Sequence, residues 1–435
     1  MRFRLVVARV AWVLAVVALV ASASDTPWDV EWARGADLSV EITSETTEDV
    51  DGVTLTLREF SYLSHEWNGE DIRIAGHLAA PASEAALPAM VLVTDGMGGA
   101  KRMAAAENIV ALAIDRVGEG ASTGPKDDYK NWLDIDEGTD IRNSWMHHYV
   151  MSAMRAITYL TGLDDVRADA IGVSGTSRGG VCSLLTSAVD DRVALSLPIA
   201  ATGDMVRTET YPDNWIASIF LALGGKTNDS PAFLRFARHY DPVQYVGDFH
   251  GLVWIVNGTQ DEFFPITSTV ALMGGDGPTR VEAIYDGDHG YYGNDQGLFD
   301  SYLNTGIGPR LAGCASKAIR AVLHGKGVLP TTPTLDVSVG GTTLSGRATI
   351  DAADEIVAAQ LIYSVDGAYT FSRVPLGRGD ATAEEWRASA ELDAGTGLAA
   401  FVEVEYRDDD GTYYLTSVPH LSEGFAPRIR PFAFE

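Results

Sequence analysis

The sequence predicts an α/β fold with a doubly wound, mostly parallel sheet, followed by a C-terminal β-sandwich. From Ala89 to about residue 328, apolar strand-like runs alternate with helical stretches, the longest of which spans Ser144 to Leu163. This alternation indicates parallel strands joined by right-handed crossovers. After Lys326 the pattern changes to short alternating strands separated by turn residues, which is typical of a sandwich. The length of 435 residues agrees with two domains.

The predicted division of the chain is a signal peptide at 1–23, an α/β domain at 24–328 and an immunoglobulin-like sandwich at 334–425. Within the α/β domain, residues 201–250 are rich in aromatic side chains and lie where this kind of fold often inserts a cap. An ordinary set of packing helices is the alternative for that segment. We expect residues 24–50 to be irregular and acidic.

Two strands are predicted ahead of the alternating region. Residues 53–58 and 71–75 alternate like antiparallel strands, with the turn pair Asn68-Gly69 between them.

The N-terminus has the pattern of an export signal. Arg2 and Arg4 precede an apolar run from Val10 to Val20, and Ala21-Ser22-Ala23 supplies a small-x-small cleavage site. This predicts a secretory signal peptide that is cleaved after Ala23, and therefore a secreted or periplasmic protein without a membrane span after cleavage. An uncleaved N-terminal anchor is the alternative.

The chain is strongly acidic. Its 32 Lys and Arg residues against 60 Asp and Glu residues give a formal charge of −28. Cleavage after Ala23 would remove three arginines and no acids, so the charge would become −28 − 3 = −31. Such a surface repels nucleic acid and anionic membranes, which argues against both as partners. The sequence does not predict an oligomeric state.

The segment from Ala168 to Gly180 is typical of a strand, a tight turn and a helix. Its Gly175-Thr176-Ser177-Arg178-Gly179 matches the G-x-S-x-G nucleophile elbow of α/β-hydrolases. Small neighbours are needed there because the strand and the helix approach closely around a strained serine. Ser174 fails the same pattern because Thr176 stands where it requires glycine. Ser177 is therefore the predicted nucleophile.

An acid and a histidine follow in the order that this fold uses. Asp261 comes shortly after the apolar run Leu252–Gly258, and His289 follows the predicted strand Val281–Tyr285. His289 would take the Ser177 proton during attack, and Asp261 would fix the tautomer of the imidazole. Glu262 is the nearest rival for the role of the acid.

Two backbone N–H groups are predicted to form an oxyanion hole, those of Arg178 and of Met97 in the glycine-rich loop 95–99. Asp95, Trp215 and Phe220 are predicted to border the substrate pocket. We also expect the Asp95 and Arg178 side chains to pair. Alternatively, Arg178 points to solvent or meets another acid such as Asp204.

No cofactor and no metal site are predicted, because no cysteine–histidine spacing suggests zinc. The histidines other than His289, including the pair His147-His148, are expected to have a surface or packing role. The two cysteines, Cys182 and Cys314, are expected on helices on opposite faces of the sheet, as small buried apolar residues without a disulfide.

Two family resemblances accompany these motifs. The loop 95–99 resembles the His-Gly-x-x-Gly segment of acetyl-xylan esterases and dienelactone-hydrolase-like enzymes, with Asp95 in place of the histidine. Gly175–Asp191, Val256–Pro265 and the segment around Phe401–Val404 resemble the PhoPQ-activated pathogenicity-related family. This second resemblance implies a secreted hydrolase with a small β-sandwich after its catalytic domain.

The predicted function is a secreted serine hydrolase, specifically a carboxylic-ester hydrolase that forms an acyl-enzyme. Its substrate would be a small-molecule ester or a carbohydrate- or peptide-linked ester. One alternative is a serine peptidase of the prolyl-oligopeptidase type, although the residues ahead of Ala89 are too few for the propeller that such enzymes usually carry. Another alternative is a non-catalytic protein whose cleft only binds.

Overall fold

The fold is taken from a computed structural model that describes residues 26–429 except 94–95, 228, 275–278, 290–308, 380–383, 394 and 396. The predicted signal peptide, the Asp95 side chain and the first residues after His289 therefore lie outside the described residues.

A nine-stranded sheet forms the centre of the α/β part, with the strand order β1-β2-β3-β5-β4-β6-β7-β8-β9. The first three strands and the β3–β5 pair are antiparallel, and the strands from β5 to β9 in this order are parallel. The strands are β1 Glu41–Val50, β2 Val53–Trp67, β3 Glu70–Pro81, β4 Leu87–Val93, β5 Val110–Ile114, β6 Val166–Thr176, β7 Val193–Ile199, β8 Leu252–Gly258 and β9 Thr279–Ile284.

The order reverses at β4, which lies between β5 and β6. Open α/β sheets bind ligands at the carboxyl ends of the strands beside such a reversal, so this edge is where a site is expected.

Helices cover both faces of this sheet. They are α1 Val30–Gly35, α2 Gly96–Glu107, α3 Tyr129–Trp132, α4 Trp145–Thr161, α5 Arg178–Val189, α6 Met205–Thr208, α7 Trp215–Ala222, α8 Pro231–Tyr240, α9 Ile266–Leu272 and α10 Pro309–Ala318. Short 3₁₀ helices occur at Ile141–Asn143 and Pro242–Tyr245, and a π-helical turn at Ile319–Leu323 continues α10.

Two large apolar clusters lie on opposite sides of the sheet. One contains α4 and α5 with the buried Cys182, and the other contains α2 and α10 with the buried Cys314. The two cysteines therefore belong to different clusters, and each behaves as a small buried apolar residue, as the sequence predicts.

The prediction that residues 24–50 are irregular is wrong. They contain the helix α1 and the ten-residue strand β1, which pairs with β2 along its whole length. Almost every β1 side chain is exposed, so its polar sequence has no apolar alternation to indicate a strand. By contrast, the β2–β3 hairpin with its turn at Asn68-Gly69 is confirmed.

The C-terminal part consists of two antiparallel sheets, β10-β11-β15-β14 and β13-β12-β16-β17, with β18 paired to β16. Its strands are β10 Thr334–Gly340, β11 Thr343–Thr349, β12 Glu355–Ser364, β13 Ser372–Pro375, β14 Gly377–Arg378, β15 Glu385–Glu391, β16 Ala399–Asp408, β17 Gly411–Thr416 and β18 His420–Leu421. The immunoglobulin-like type and the exact domain boundaries stay predictions.

The two parts share a buried junction. The Arg310 guanidinium on α10 lies between Glu282 on β9 and Glu403 on β16, and it bonds to both carboxylates. The Thr416 hydroxyl donates to the Val281 carbonyl at 3.0 Å and accepts from the Ala283 N–H at 3.1 Å. These contacts bind the sandwich to the edge strand of the central sheet. Within the described residues, no helix is long and apolar enough to cross a membrane.

We predict that Arg310→Met destabilises the protein by about 3–5 kcal/mol at pH 8, because it leaves two carboxylates buried without their cation. Burial already holds the pKa of Glu282 above its usual range. Protonation therefore relieves part of the loss at pH 5, and the destabilisation should be smaller there. Thermal unfolding at both pH values measures this.

Arg347→Met is the matched control, because Arg347 pairs with Asp336 on an exposed face of the sandwich. It should change the unfolding temperature little at either pH. If Arg310→Met lowered the unfolding temperature no more than the control does, the buried junction would not contribute to stability as we propose.

Candidate active site

Ser177 occupies a sharp turn between β6 and α5. Its φ of 55° lies in the left-handed region, which a non-glycine residue adopts only under strain. An added Cβ at Gly175 would lie 2.5 Å from the Gly179 carbonyl, and one at Gly180 would lie 2.4 Å from the Ala201 side chain. The glycines thus permit the close approach of strand, helix and the next strand that the turn requires. The strained residue is held by its N–H, which donates to the Ile199 carbonyl at 2.8 Å.

The structure brings Ser177, His289 and Asp261 together in one hydrogen-bonded chain. His289 Nε2 lies 2.9 Å from Ser177 Oγ, and His289 Nδ1 lies 2.8 Å from Asp261 Oδ2. Because an ionised carboxylate only accepts, Nδ1 donates to Asp261 and Nε2 is left to accept from the Ser177 hydroxyl. Asp261 and His289 are 1% and 3% exposed, while Ser177 is half-buried at the end of a cavity. This geometry allows a base to take the serine proton.

The carboxylate of Asp261 is fixed from its other side. Its Oδ1 accepts the N–H groups of Phe263 and Phe264 at 2.9 and 2.8 Å. The Asn257 amide donates to the Phe264 carbonyl at 2.8 Å and thereby ties this turn to the end of β8. These donors restrict the orientation of the Asp261 carboxyl group.

The acid loop after β8 and the histidine loop after β9 touch each other directly. The Thr259 N–H donates to the Ile284 carbonyl at 2.9 Å, and the Gln260 N–H donates to the Gly287 carbonyl at 2.8 Å. A Cβ on Gly258 would lie 2.3 Å from the Gly287 carbonyl oxygen, so the backbones leave no space for a side chain. The separation of Asp261 from His289 is therefore set by backbone contacts.

Glu262, the rival acid, faces the histidine backbone. Its Oε2 accepts the His289 N–H at 3.1 Å, while the side chain stays 1% exposed. Burial raises the pKa of Glu262 to about 7, and the neighbouring Asp261 adds to the increase. Of the two acids, only Asp261 has a hydrogen bond with the imidazole among the described contacts.

An apolar cavity of about 160 Å³ opens at Ser177. Phe220 lines it, whereas Trp215 packs edge-on against the lining residue Phe263 with ring centres 5.3 Å apart; that either residue borders a bound substrate stays a prediction. The cavity's described lining consists of Tyr129, Trp132, Ser177, Arg178, Val181, Met205, Ile216, Ile219, Phe220, Phe263, Phe264 and His289. The helices between β7 and β8 thus supply much of the described wall, and a cap or substrate role for the segment 201–250 stays a prediction.

The side chain of Arg178 has a partner that the sequence did not indicate. Its guanidinium lies 2.7 Å from the Asp127 carboxylate, which Arg116 also approaches to 2.8 Å. Asp127 further accepts the Trp132 indole N–H at 3.1 Å. The expected pairing with Asp95 falls outside the described residues and stays a prediction, and among the described residues Arg178 meets Asp127 and not Asp204. Asp127 belongs to the pair Asp127-Asp128 in a loop without a motif, so no sequence signal identified it.

The predicted loop 95–99 is shorter than expected, because α2 already begins at Gly96. Met97 therefore lies in the first turn of a helix, where N–H groups have no partner within the helix. Arg178 also lies in the first turn of its helix, since α5 begins there. The side chain of Met97 is half-buried against the cluster that contains α10. The oxyanion role of both N–H groups stays a prediction.

The C-terminal sandwich also reaches the candidate site. The Gln260 side-chain amide donates to the Tyr369 carbonyl, and the Phe371 N–H donates to the Asp286 carboxylate at 3.0 Å. Gln260 is adjacent to Asp261, and Asp286 lies three residues before His289. The sandwich therefore contacts both loops that carry the acid and the base.

Comparisons with known proteins agree with this architecture. Residues 128–296 match the model of the family described as PhoPQ-activated pathogenicity-related protein, so the resemblance expected from the sequence is confirmed there. The match includes Ser177, Asp261 and His289 but does not reach the segment Phe401–Val404.

Among curated proteins, the chain is 31% identical to Acetyl esterase Axe7A of Xylanibacter ruminicola over 150 residues. That alignment covers 33% of this chain and 32% of the relative, so the match spans about a third of the length of the curated relative.

Among solved structures, the acetyl xylan esterase of a Paenibacillus species superposes with a TM-score of 0.50 at 19% identity, covering 60% of this chain and 86% of that chain. Acetyl xylan esterase 1 of a Thermoanaerobacterium species gives a TM-score of 0.48 at 18% identity, covering 60% and 85%. The first of these likenesses, together with the sheet order, shows that the fold is α/β-hydrolase-like.

We predict that Glu262→Gln flattens the pH dependence of stability. A buried carboxyl whose pKa rises from about 4.5 to about 7 stabilises the fold fully below pH 4.5, and this stability is lost as the pH rises through 7. The unfolding temperature of the wild type should therefore fall more between pH 5 and pH 8 than that of the variant. The difference between the two curves isolates Glu262 from other groups that titrate. Parallel curves would mean that Glu262 does not titrate in this range.

Proposed function

We propose that this protein is a serine hydrolase of carboxylic esters that acts through an acyl-enzyme. The observation that carries the proposal is the chain from Ser177 through His289 to Asp261, with distances of 2.9 and 2.8 Å, at the helix N-terminus beside the cavity. The match to an acetyl esterase supports ester chemistry in particular.

In the proposed reaction, Ser177 Oγ attacks the ester carbonyl carbon while its proton moves to His289 Nε2. Asp261 stabilises the imidazolium through the bond to Nδ1. The negative charge that develops on the carbonyl oxygen is stabilised by the N–H groups of Arg178 and Met97 at two helix N-termini. The alcohol leaves with the proton from His289. Water then attacks the acyl-serine with the same base, which releases the acid and restores the serine.

The small apolar cavity supports a short acyl group. Ligand pockets for drug-sized molecules have volumes of ~300–1,000 Å³, whereas this cavity measures about 160 Å³. The name of the matched acetyl esterase points the same way. A carbohydrate- or peptide-linked alcohol lying outside the cavity, and export by the N-terminal segment, remain parts of the proposal.

We predict that Ser177→Ala lowers kcat/KM for a small ester by ~10³-fold or more, because it removes the nucleophile. The wild type should also react covalently with a fluorophosphonate probe, and the variant should not. Circular dichroism of the variant checks that it folds.

A labelled wild type that hydrolyses aminoacyl amides but not esters would favour the peptidase alternative. Absence of both labelling and hydrolysis in a folded wild type would favour a protein that only binds.

We predict that Phe220→Ala shifts the acyl preference toward longer chains. Phe220 is buried in the cavity wall, so its truncation adds space where the acyl group is proposed to lie. The ratio of kcat/KM for the butyrate ester over the acetate ester should rise by about tenfold or more. Leu221→Ala, on the exposed side of the same helix, is the control and should leave the ratio unchanged. An unchanged ratio for Phe220→Ala would place the acyl group elsewhere.

A further inference from the structure

Three histidines are buried together between β2 and the first turns of α4. His65, His147 and His148 are 5%, 4% and 0% exposed, and one ring nitrogen of each lies within 4.8 Å of the other two. Among the described residues, these three histidines are the one cluster of potential metal ligands whose ligand atoms lie close enough together to hold an ion. The sequence predicted only a surface or packing role for all three.

A β-bulge brings His65 into this cluster. The register of β2 against β3 shifts between Leu63 and His65, so Ser64 and His65 are both buried instead of alternating. Bulges of this kind redirect side chains and are frequent beside functional sites. The adjacent His147 and His148 approach from α4, which has all of its early residues buried.

The hydrogen bonds of the cluster leave ring nitrogens without partners. Ser64 Oγ lies 2.9 Å from His65 Nδ1, and His65 Nε2 lies 2.8 Å from His148 Nδ1. His147 Nδ1 and His148 Nε2 are buried and have no hydrogen-bond partner among the described residues. A cluster with only a packing role would be expected to satisfy such groups, because each orphan costs about 1–3 kcal/mol.

We propose that these three histidines form a binding site for a divalent transition-metal ion of the zinc type. Imidazole nitrogens are ligands that zinc prefers, and three histidines plus one open position is an established zinc geometry. With Zn–N bonds of ~2.05 Å, tetrahedral ligands lie about 3.3 Å apart. The spacing of 2.8 Å between His65 Nε2 and His148 Nδ1 would have to widen by ~0.5 Å to match this, and all three ligand nitrogens lie within 4.8 Å of one another. The Ser64 hydroxyl would orient His65 through its other nitrogen, as the partners of metal-bound histidines commonly do.

Two arginines near the cluster carry charge of the same sign as a metal ion. The nearby Arg155 donates to backbone carbonyls, including those of Leu63 and Ala33, and Arg142 pairs with Asp140. Their charges oppose a metal, and binding therefore depends on all three imidazoles.

The ion would have its own route to solvent. His65 and His147 line a cleft of about 1,100 Å³, and none of the residues described around that cleft also lines the cavity at Ser177. The proposed site is therefore separate from the ester chemistry, and a metal bound there would join β2 to α4.

The test uses the full chain after treatment with a chelator. Titration with zinc chloride, followed by calorimetry, should give one site per chain, and zinc should raise the unfolding temperature. His65→Gln, His147→Gln and His148→Gln should each weaken binding by at least tenfold, with circular dichroism as the folding check. Two control variants should bind zinc with the affinity of the wild type: His250→Gln, at an exposed histidine, and His289→Gln, in the candidate active site.

A second measurement needs no variant. X-ray absorption of the zinc-loaded wild type should show three imidazole nitrogens at ~2.0–2.1 Å. Absence of a stoichiometric site in the wild type would overturn the proposal. So would binding that is lost only with His289→Gln, or a spectrum without three imidazoles, since either result would place the metal elsewhere.

Discussion

The close contact between β6 and α5 is the constraint on which the rest of the site depends. Ser177 adopts a φ of 55°, a conformation that costs about 1–3 kcal/mol and persists only where the surroundings enforce it. Enforcement comes from glycines with no space for a side chain and from the bond of the Ser177 N–H to Ile199 on the next strand. As a result, Ser177 presents its hydroxyl at a helix N-terminus, where an oxyanion can be stabilised.

Asp261 and His289, the proposed acid and base, are brought together in a different way. Each follows its own parallel strand, and backbone hydrogen bonds between the two loops set their separation. Asp261 is held by two further N–H donors, and the His289 N–H is held by Glu262. A site organised by main-chain contacts of this kind has little reorganisation to undergo when charge develops. The bond from the His289 N–H to Glu262 has an electrostatic cost, because it keeps a second carboxyl group buried beside Asp261.

How much of the fold and of the candidate site could be predicted from the sequence depends on whether each interaction joins residues that are near or distant along the chain. The elbow, the strands around Asp261 and His289 and the β2–β3 hairpin follow from local patterns, namely glycine spacing and apolar runs. The edge strand β1 was missed because its exposed side chains leave no apolar signal. The partner of Arg178 and the convergence of His65 with His147 and His148 depend on contacts between distant segments, and in the second case on a bulge. Such contacts have no signature in a single sequence.

The C-terminal sandwich is best understood through the loops it touches. Its Tyr369 carbonyl accepts from Gln260, next to Asp261, and its Phe371 N–H binds Asp286, just before His289. Within the C-terminal half of β9, Glu282 shares the buried Arg310 of α10 with Glu403 of the sandwich. The sandwich thus holds the part of β9 that leads into the histidine loop. Because a displacement of about 1 Å at a reacting group can cost ~100-fold in rate, such contacts would matter for the proposed catalysis without touching the substrate. The sandwich therefore acts as a support for the acid and histidine loops.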